Sequence, residues 1–427
     1  MELNQIHHLF LNSSGVSTDT RSIKQDSIFF ALKGTNFNGN TFAHQALKTG
    51  ASYAIIDEDV SPMDERFILV DNVLESLQAL AVFHRKQLGL PIIALTGSNG
   101  KTTTKELIHA VLKPHFKTVA TVGNLNNHIG VPLTLLSMTT DTEIGIVEMG
   151  ANHAKEIGLL CEITKPNMGY ITNFGKAHLE GFGSEEGVVK AKSELYDFLK
   201  VNSGLIILNS DDPKQVTQVG TYSNTYTFSE ISKTTVNVKP TSTHPFLSVT
   251  LKETVIKTHL VGIYNFHNIA AALAIGTYYK LTPLQLKIGI ESYIPANNRS
   301  QLIQQNSNEI LLDAYNANPS SMEVALENFK GIQSSQKLAI LGDMFELGTT
   351  STKEHLEVVN QAVSTSDCSF YFVGTHFYEQ NKVHPNLLFF KTFEDLQLHL
   401  EQSTISNTRI LIKGSRGMAL ERVLEFI

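Results

Sequence analysis

A glycine-rich stretch with a lysine and several threonines holds the residues of this chain whose types and spacing most clearly predict chemistry. It runs Thr96-Gly97-Ser98-Asn99-Gly100-Lys101-Thr102-Thr103-Thr104. Glycines let the backbone approach an anion, amide groups at a helix N-terminus point at that anion, and a lysine adds a mobile positive charge. A threonine directly after the lysine is placed to hold Mg²⁺. The stretch therefore predicts a site for the phosphates of a nucleotide.

The segments on either side have the patterns that position such a loop. Pro91-Ile92-Ile93-Ala94-Leu95 is an unbroken apolar run, as expected for a parallel strand that is buried on both faces. After the loop, apolar residues recur between Leu107 and Leu112 along one stripe of an amphipathic helix. Leu95 stands where the general phosphate-binding pattern has its first glycine. The loop is therefore a shortened form, and an ordinary strand-to-helix turn is the alternative interpretation.

Length and composition limit the classes of protein to consider. The chain has 427 residues, of which 42% are hydrophobic, and a formal net charge of −7. This length predicts about three domains. A net negative charge argues against sequence-independent nucleic-acid binding, which needs a basic surface. Because the sequence has neither a signal-peptide pattern nor an apolar run that could span a bilayer, we expect a cytoplasmic protein without a membrane segment.

Residues 1–85 are predicted to form a small α/β unit. The strand candidates are 27–32, which leads to Lys33, and 52–56, with a helix between them. The polar loop Thr18-Asp19-Thr20-Arg21 precedes both strands. An ion pair between its aspartate and its arginine is the simpler interpretation of this loop, and a site for an anion or a sugar nucleotide is the functional one.

Residues 86–294 alternate between strand and helix patterns, which predicts a parallel sheet. Polar residues follow three of the strand candidates, namely Glu148 after 144–147, His178 after 168–172, and Asp211 with Asp212 after 205–208. Ligands of open α/β sheets bind outside the carboxyl ends of the strands, so these side chains are candidates for an active site. We expect a hairpin-rich annex over residues 222–260 and then an alanine-rich helix.

Residues 295–427 are predicted to form a third α/β unit. Its strand candidates are 309–312, 337–341, 370–373 and 409–412, each followed by a plausible helix. This part has neither a Gly-Lys-Thr loop nor a Gly-x-Gly-x-x-Gly fingerprint, so we assign it no nucleotide of its own.

Several stretches together resemble the Mur ligases of peptidoglycan precursor synthesis along almost the whole chain. The loop at 96–103 is similar to the shortened phosphate loop of that family. The other stretches that carry the resemblance are Thr18-Asp19-Thr20-Arg21, Ala31-Leu32-Lys33-Gly34, Gly123-Asn124-Leu125-Asn126-Asn127, Gly130-Val131-Pro132-Leu133-Thr134, Glu148-Met149-Gly150-Ala151-Asn152-His153, Asp313-Ala314-Tyr315-Asn316-Ala317-Asn318-Pro319 and Leu341-Gly342-Asp343-Met344 through Gly348. Lys176, before Ala177-His178, is less typical of the family.

The resemblance implies an α/β fold in three domains. These would be a small N-terminal α/β domain that binds a UDP substrate (1–85), a central P-loop ATPase domain with a parallel sheet (86–294), and a C-terminal Rossmann-like α/β domain (295–427).

The stretches are most similar to those of the family member that adds D-alanyl-D-alanine to UDP-N-acetylmuramoyl-tripeptide. The resemblance then implies that ATP passes its γ-phosphate to the terminal carboxylate of the tripeptide and that the amine of D-alanyl-D-alanine attacks the acyl phosphate. Transfer between two anions needs charge neutralisation and positioning more than covalent help from the protein. We expect these two substrates as partners, no nucleic acid, and a monomer.

The family pattern also implies roles for single residues. Lys101 and the loop amides would serve the β- and γ-phosphates of ATP. Thr102 and Glu148 would hold one Mg²⁺, and His178 would help to bind a second Mg²⁺ near the acyl phosphate.

Lys192 matches the family lysine that is carbamylated by CO₂. A carbamate would turn this cation into an anion that supports the second metal. A solvated helix lysine is the alternative, and Lys190 is a second candidate for the modification. With Lys101 and His178, Lys192 completes the predicted catalytic set.

The remaining predictions concern binding. Besides the loop at 97–103, the predicted nucleotide-binding residues are Asn268, near the adenine, and Arg299, Asp313 and Asn316, which closure of the C-terminal domain would bring to the site. The predicted substrate-binding residues are Thr18, Asp19, Thr20, Arg21, Lys33, Asn126 and Asn127. A C-terminal family motif, expected near the incoming substrate or the domain interface, is matched by Lys413, Ser415 and Arg416.

Two kinds of alternative remain open. Within the same class, the chain could be another Mur ligase with a different acceptor or a folylpolyglutamate synthetase, and the stretches at 123–127 and 313–319 argue against both. From other classes, it could be a P-loop phosphotransferase or a nucleotide-regulated binding module. The set of Glu148, His178 and Lys192 favours a ligase.

Overall fold

The computed structural model describes residues 2–427, which form three α/β units, each around its own main sheet. The elements of the first unit are α1 (Leu3–Leu11), β1 (Val16–Ser17), β2 (Ile28–Phe30), β3 (Lys33–Gly34), β4 (Phe37–Asn38), α2 (Ala43–Thr49), β5 (Tyr53–Ile56), β6 (Phe67–Leu69) and α3 (Val73–Leu88). Its parallel sheet has the order β1-β2-β5-β6. The strand predicted at 27–32 is shorter than expected, because the chain turns at Lys33 into the antiparallel hairpin β3-β4.

The central unit contains the predicted parallel sheet. Its elements are β7 (Ile92–Thr96), α4 (Lys101–Leu112), β8 (Thr118–Ala120), α5 (Gly130–Leu136), β9 (Ile144–Glu148), α6 (Glu156–Thr164), β10 (Met168–Ile171), α7 (Leu179–Phe182), α8 (Glu185–Val201), β11 (Leu205–Asn209), α9 (Pro213–Val219), β12 (Thr225–Ser229), β13 (Val236–Ser242), β14 (Ser248–Leu251), β15 (Thr254–Lys257), α10 (Phe266–Tyr278) and α11 (Pro283–Glu291). The nine strands have the order β15-β14-β13-β12-β11-β10-β7-β9-β8. The phosphate loop thus leaves β7, near the middle of the parallel part.

The third unit has a six-stranded sheet of order β16-β17-β21-β18-β19-β20, in which β16 is an antiparallel edge strand and the other strands are parallel. Its elements are β16 (Gln301–Gln305), β17 (Asn308–Asp313), α12 (Pro319–Gly331), β18 (Lys337–Gly342), α13 (Ser351–Val363), β19 (Ser369–Val373), α14 (Thr375–Tyr378), β20 (Leu387–Phe390), α15 (Phe393–Glu401) and β21 (Arg409–Lys413). Short 3₁₀ turns lie at Thr20–Ser22, Gly39–Phe42, Ile263–Asn265, Gly348–Thr350, Arg416–Met418 and Leu420–Glu425.

The structure corrects two expectations about the sheets. β12 is not part of a hairpin but pairs in parallel with β11, so only β13, β14 and β15 form the antiparallel annex. β21 is followed by two 3₁₀ turns and not by an α-helix, because Gly414 and Gly417 interrupt the segment and Ala419 has a φ of +47°. The short strands β1, β4, β6, β8, β16 and β20 are not among the predicted elements.

Two cores cover the two faces of the central sheet. On one face, α4 packs against α10 through Leu107, Ile108 and Ile269, which are all fully buried. The alanines of α10 leave room for this close approach of the two helices. On the other face, residues of α5, α6 and α8 share one core with α1 and α3 of the first unit.

The predicted domain boundaries fall at different kinds of position. Residues 85–86 lie in the last turn of α3, whereas residues 294–295 lie in the connection between α11 and β16. Both boundaries stay predictions. Within residues 2–427, no helix is long and apolar enough to cross a membrane.

Candidate active site

One large cavity, with a volume of about 1140 Å³, lies between the central unit and the third unit. Of the predicted site residues, the cavity is lined by Ser98, Asn99, Gly100, Lys101, Thr102, Thr103, Asn126, Asn127, Glu148, His178, Asn268, Arg299, Asp313 and Asn316. Lys413, Ser415 and Arg416 also line it. The structure therefore brings most of the residues expected from the central and C-terminal parts to one place.

The phosphate loop needs glycine at two positions. Gly97 has a φ of +143°, and a Cβ atom there would lie 1.9 Å from Thr172 Oγ1. Gly100 has a φ of +79° and directly precedes α4, and a Cβ atom there would lie 2.5 Å from Asn268 Oδ1. Both side-chain-free positions let the loop fit between β10 and α10 while its amides remain at the start of α4.

Lys101 is folded back over this loop. Its Nζ donates hydrogen bonds to the carbonyl oxygens of Gly97, at 2.6 Å, and Ser98, at 3.2 Å. Burial lowers the pKa of Lys101, and the nearby charge of Glu148 partly opposes this shift. The amine thus lies beside the loop, where a phosphate would gain most from a positive charge.

Glu148, at the end of β9, has one carboxylate oxygen with a partner and one without. Its Oε1 accepts a hydrogen bond of 2.8 Å from Asn126 Nδ2. Its Oε2 is buried and has no hydrogen-bond partner among the described residues. Thr121 Oγ1 accepts a hydrogen bond from the backbone N–H of Glu148 at 2.9 Å, which fixes the strand end. A buried carboxylate oxygen without a donor is a fitting ligand for a hard cation.

His178 connects the central unit to the third unit. It has a φ of +51° and lies just before the short helix α7. Its Nδ1 pairs with the carboxylate Oε2 of Glu346, which follows β18. The hydrogen bond with His178 lowers the pKa of Glu346, and burial of the carboxylate partly opposes this shift. The other ring nitrogen of His178 is left for the cavity.

Lys192 lies behind the cavity and does not line it. Its side chain is 0% exposed, and its Nζ donates to Ala151 O at 3.1 Å and lies 5.0 Å from the ring centroid of Phe182. Burial holds the pKa of Lys192 well below its usual range, and Lys101 adds to this shift. Lys190 is exposed, so the helix itself separates the two candidate lysines.

The predicted residues of the third unit lie opposite the loop. The guanidinium of Arg299 lies 3.6 Å from the ring centroid of Tyr315. Asp313 accepts hydrogen bonds from Ser300 N at 3.1 Å and from Lys413 Nζ at 2.6 Å. These contacts fix the positions of Arg299, Tyr315 and Asp313 on the side of the cavity that faces the loop.

Asn268 and Asn316 complete this part of the site from two sides. Asn268 accepts a hydrogen bond of 3.0 Å from Thr104 Oγ1 and donates one of 2.9 Å to Asn265 Oδ1, which ties α10 to the start of α4. Asn316 Oδ1 accepts a hydrogen bond of 2.9 Å from Ala317 N in the segment after β17.

The predicted substrate residues fall into two groups. Asn126 and Asn127 line the cavity, and Asn127 Oδ1 also accepts from the backbone N–H of Gly130 at 2.9 Å. The residues of the first unit, Thr18, Asp19, Thr20, Arg21 and Lys33, do not line it.

Asp19 and Arg21 form the ion pair that the simpler interpretation predicts. The distance from Arg21 NH2 to Asp19 Oδ2 is 2.6 Å, although the Arg21 side chain is 89% exposed. The hydrogen bonds from Arg21 lower the pKa of Asp19 to about 2. Lys33 pairs with Asp57 at 3.1 Å.

Three residues of the site carry no role in the sequence-based interpretation. Thr121 fixes the strand end at Glu148, Glu346 pairs with His178, and Asn318 Nδ2 donates a hydrogen bond of 2.8 Å to Asn99 Oδ1. Glu346 and Asn318 lie in stretches that follow parallel strands, and this position was the available signal for both.

Three family profiles match successive parts of the chain. They are described as "Mur ligase family, catalytic domain" for residues 12–85, "Mur ligase middle domain" for residues 95–276 and "Mur ligase, glutamate ligase domain" for residues 298–416.

Individual relatives match over nearly the full length. The UDP-N-acetylmuramoyl-tripeptide–D-alanyl-D-alanine ligases of Bacillus subtilis (strain 168) and Escherichia coli (strain K12) are 34% and 33% identical to it, over 96% of this chain and 92% of each relative. Among solved structures, MurF from Acinetobacter baumannii matches with a TM-score of 0.85 at 28% identity, over 96% of this chain and 92% of that one. MurF from Thermotoga maritima in complex with ADP matches with a TM-score of 0.84 at 26% identity, over 97% of both chains. The chain belongs to the Mur ligase family.

Proposed function

We propose that this chain is the ATP-dependent ligase that joins D-alanyl-D-alanine to UDP-N-acetylmuramoyl-tripeptide and so makes the UDP-muramoyl-pentapeptide of peptidoglycan synthesis. Its relatives over nearly the full length carry this name. The observation that carries the proposal is the large cavity in which the phosphate loop, Glu148 and His178 face Arg299 and Asp313 of the third unit.

The reaction has two steps, and the same positive groups of the protein serve the phosphates in both. An oxygen of the tripeptide carboxylate attacks the γ-phosphorus of ATP, and ADP leaves. The amine of D-alanyl-D-alanine then attacks the carbonyl carbon of the acyl phosphate, phosphate leaves with the broken C–O bond, and the nitrogen releases a proton. Lys101 and the amides at the start of α4 neutralise the phosphates and hold them in line.

The residues around the loop fit a magnesium ion held by Thr102 and Glu148. The orphaned Oε2 of Glu148 supports this assignment. Within residues 2–427 no group of three or more histidine, cysteine, aspartate or glutamate side chains could hold a metal by itself. This fits Mg²⁺, which often binds through one or two carboxylates together with substrate phosphates. When bound, the ion would supply positive charge that neutralises the phosphates of ATP.

A second magnesium ion, near His178, and a carbamate on Lys192 are further parts of the proposal. Carbamylation joins the unprotonated amine to CO₂ and releases one proton. The burial of Lys192, which lowers its pKa, favours the unprotonated amine that this chemistry needs. Lys192→Ala should abolish turnover, with partial rescue by short carboxylates, and full activity of this variant would refute the assignment.

The binding assignments of the two outer units remain part of the proposal. Asn268, Arg299, Asp313 and Asn316 would bind the nucleotide. The UDP part of the substrate would bind the first unit, and the residues assigned to it are Thr18, Asp19, Thr20, Arg21 and Lys33, with Asn126 and Asn127 nearer the reacting carboxylate. Closure of the third unit over both substrates should change the X-ray scattering curve.

We further propose that the enzyme works as a monomer in the cytoplasm, where its nucleotide substrates are made.

Phosphate release tests the proposed function. With ATP and UDP-N-acetylmuramoyl-tripeptide, release should depend on D-alanyl-D-alanine and should match the amount of pentapeptide found by mass spectrometry. ADP release that needs no amine would favour a phosphotransferase, and ATP binding without turnover would favour a binding module. Turnover with another amine or another acceptor, including folates, would indicate a different ligase of the same class.

A further inference from the structure

The contact between His178 and Glu346 joins two units that the proposed reaction needs together. His178 lies in the central unit and lines the cavity, while Glu346 belongs to the third unit and lines the same cavity. We propose that Glu346 is a positioning residue for His178, which it holds in one tautomer and one ring orientation. This inference rests on the proposed function and adds a residue to it.

The hydrogen-bond partners define the tautomer. A carboxylate oxygen only accepts, so the Nδ1 of His178 must carry the hydrogen that joins it to Glu346. The neutral ring then has its lone pair on Nε2, which is the form that binds a cation or accepts a proton. Carboxylates that accept from one nitrogen of a histidine commonly orient the other nitrogen in this way.

Glu346 is held from its own side by the third unit. The two residues before it use their backbone N–H groups, since Met344 N donates to His355 Nε2 at 3.0 Å and Phe345 N donates to Ser415 Oγ at 2.9 Å. These hydrogen bonds fix the backbone of the third unit just before Glu346, and so limit where its carboxylate can lie.

His178 has less support from the central unit. It has a φ of +51° and precedes α7, which is only four residues long. The backbone N–H of Glu180 donates to the carbonyl oxygen of Glu346 at 3.2 Å, so α7 also meets this loop of the third unit. We infer that docking of the third unit sets the ring of His178 and that the ring is free to turn when this unit moves away.

A second ion pair on the same interface provides a control. Lys176 Nζ lies 3.3 Å from Glu354 Oε1, and neither residue lines the cavity. Loss of the contact between Lys176 and Glu354 should weaken the docking of the third unit on the central unit about as much as loss of the contact between His178 and Glu346. It should leave the tautomer of His178 unchanged.

The tautomer is measured directly, without metal or substrate, from long-range proton–nitrogen NMR spectra of protein with labelled histidine rings. His178→Gln assigns the signal. The native protein and Glu354→Ala should show the tautomer with hydrogen on Nδ1, and Glu346→Ala should show a mixture of tautomers or the other form. An unchanged His178 signal in Glu346→Ala would overturn the proposal.

Kinetics provide the second measurement. Glu346→Ala should lower kcat about 10- to 100-fold, as is typical when the partner of a ligand histidine is lost. The KM for ATP should change less than threefold. Glu346→Gln, whose amide oxygen still accepts from Nδ1, should recover most of kcat. Equal losses in Glu346→Ala and Glu354→Ala would mean that both side chains serve docking alone, and would overturn the proposal.

Failure of the proposed function gives a different result. If the native protein releases no phosphate with the proposed substrates, the function is wrong. The NMR comparison still decides whether Glu346 sets the tautomer of His178.

Discussion

The two interfaces of the central unit differ in chemistry. The interface with the first unit is part of a continuous apolar core, to which α1 contributes Ile6 and Phe10. The interface with the third unit is mainly polar, with contacts such as Asn99 to Asn318 and Lys176 to Glu354. Apolar surface is costly to expose, whereas water can replace polar contacts. The first interface should therefore be permanent, and the second can open and close around substrates.

Arg85 illustrates how firmly the first interface is held. Its guanidinium donates to Thr164 O at 3.0 Å, Lys165 O at 3.1 Å and Asn167 Oδ1 at 2.9 Å. The third unit, by contrast, has two apolar cores of its own. The central unit contributes one buried residue, Val261, to the first of these cores and none to the second. The cavity lies at the interface that can move, which suits an enzyme that must admit three substrates.

The largest expected effect is on stability at the apolar interface. Phe10 is 7% exposed within the shared core, so Phe10→Ala should reduce the free energy of unfolding by about 3–5 kcal/mol. Urea unfolding measures this loss. The neighbour Leu11 is 58% exposed, and Leu11→Ala should change stability by about 0.5 kcal/mol or less. Similar losses in both variants would show that the shared core does not stabilise this interface.

The next effect concerns turnover at the polar interface. Lys101→Met keeps the apolar part of the side chain but removes the charge beside the loop carbonyls. Phosphate release should fall about a hundredfold to a thousandfold, by comparison with other losses of a single electrostatic contact. The melting temperature should not fall, because burial already disfavours the charged amine. The exposed Lys113, at the other end of α4, supplies the control Lys113→Met, which should retain activity.

A smaller effect depends on pH at the apolar interface. His84 Nε2 donates to Met138 O at 2.9 Å, and His84 Nδ1 lies 3.1 Å from His7 Nε2, so only one hydrogen fits between the two rings and they cannot both be charged in this arrangement. Burial lowers the pKa of both rings below 6.5. The unfolded chain therefore takes up protons first as pH falls below 6.5, and stability is lost by at most about 1.4 kcal/mol per pH unit for each ring.

Chemical unfolding between pH 7.5 and pH 5 measures this loss. In the double variant His7→Gln with His84→Gln, the slope below pH 6.5 should be smaller. The exposed His8, also on α1, provides the control, because His8→Gln should leave the slope unchanged. A slope that does not differ between the native protein and the double variant would contradict the expectation.

The smallest expected effect concerns one hydrogen bond of the polar interface, between Asn318 and Asn99. Asn318 donates to Asn99 and also caps α12, where its Oδ1 accepts from Ser321 N at 2.9 Å. Asn318→Asp keeps the cap but loses the amide donor. The loss of one hydrogen bond, about 1 kcal/mol, should raise the KM for ATP about fivefold without a change in stability. Asn318→Ala, which loses both contacts, should also lower the melting temperature.

Local patterns predicted the elements around the chemistry because those elements follow from short stretches of sequence. The apolar run before the loop, the stripe from Leu107 to Leu112 and the polar residues after three strands each reflect burial in a parallel sheet, and the structure has them as β7, α4 and the ends of β9, β10 and β11. The roles of the predicted site residues remain predictions, although most of these residues lie around one cavity.

Contacts between units could not be predicted in the same way. Glu346 and His178 are 168 residues apart, and Asn318 and Asn99 are 219 residues apart. No local period links such pairs, because the position of one unit on another depends on many contacts at once. The prediction for β12 is wrong for a related reason, since its alternating Thr-Tyr-Thr-Phe pattern suits a hairpin as well as a strand inside a parallel sheet.

The shared apolar core also has a consequence for how the chain is made. Its buried members run from Ile6 to Val219, so about half of the chain must leave the ribosome before that core can close. Until then, the helix at the N-terminus exposes Ile6 and Phe10 while its partners are still being synthesised. Long sequence separation slows such closure. The nascent first unit therefore needs protection from aggregation until the rest of this core has been synthesised.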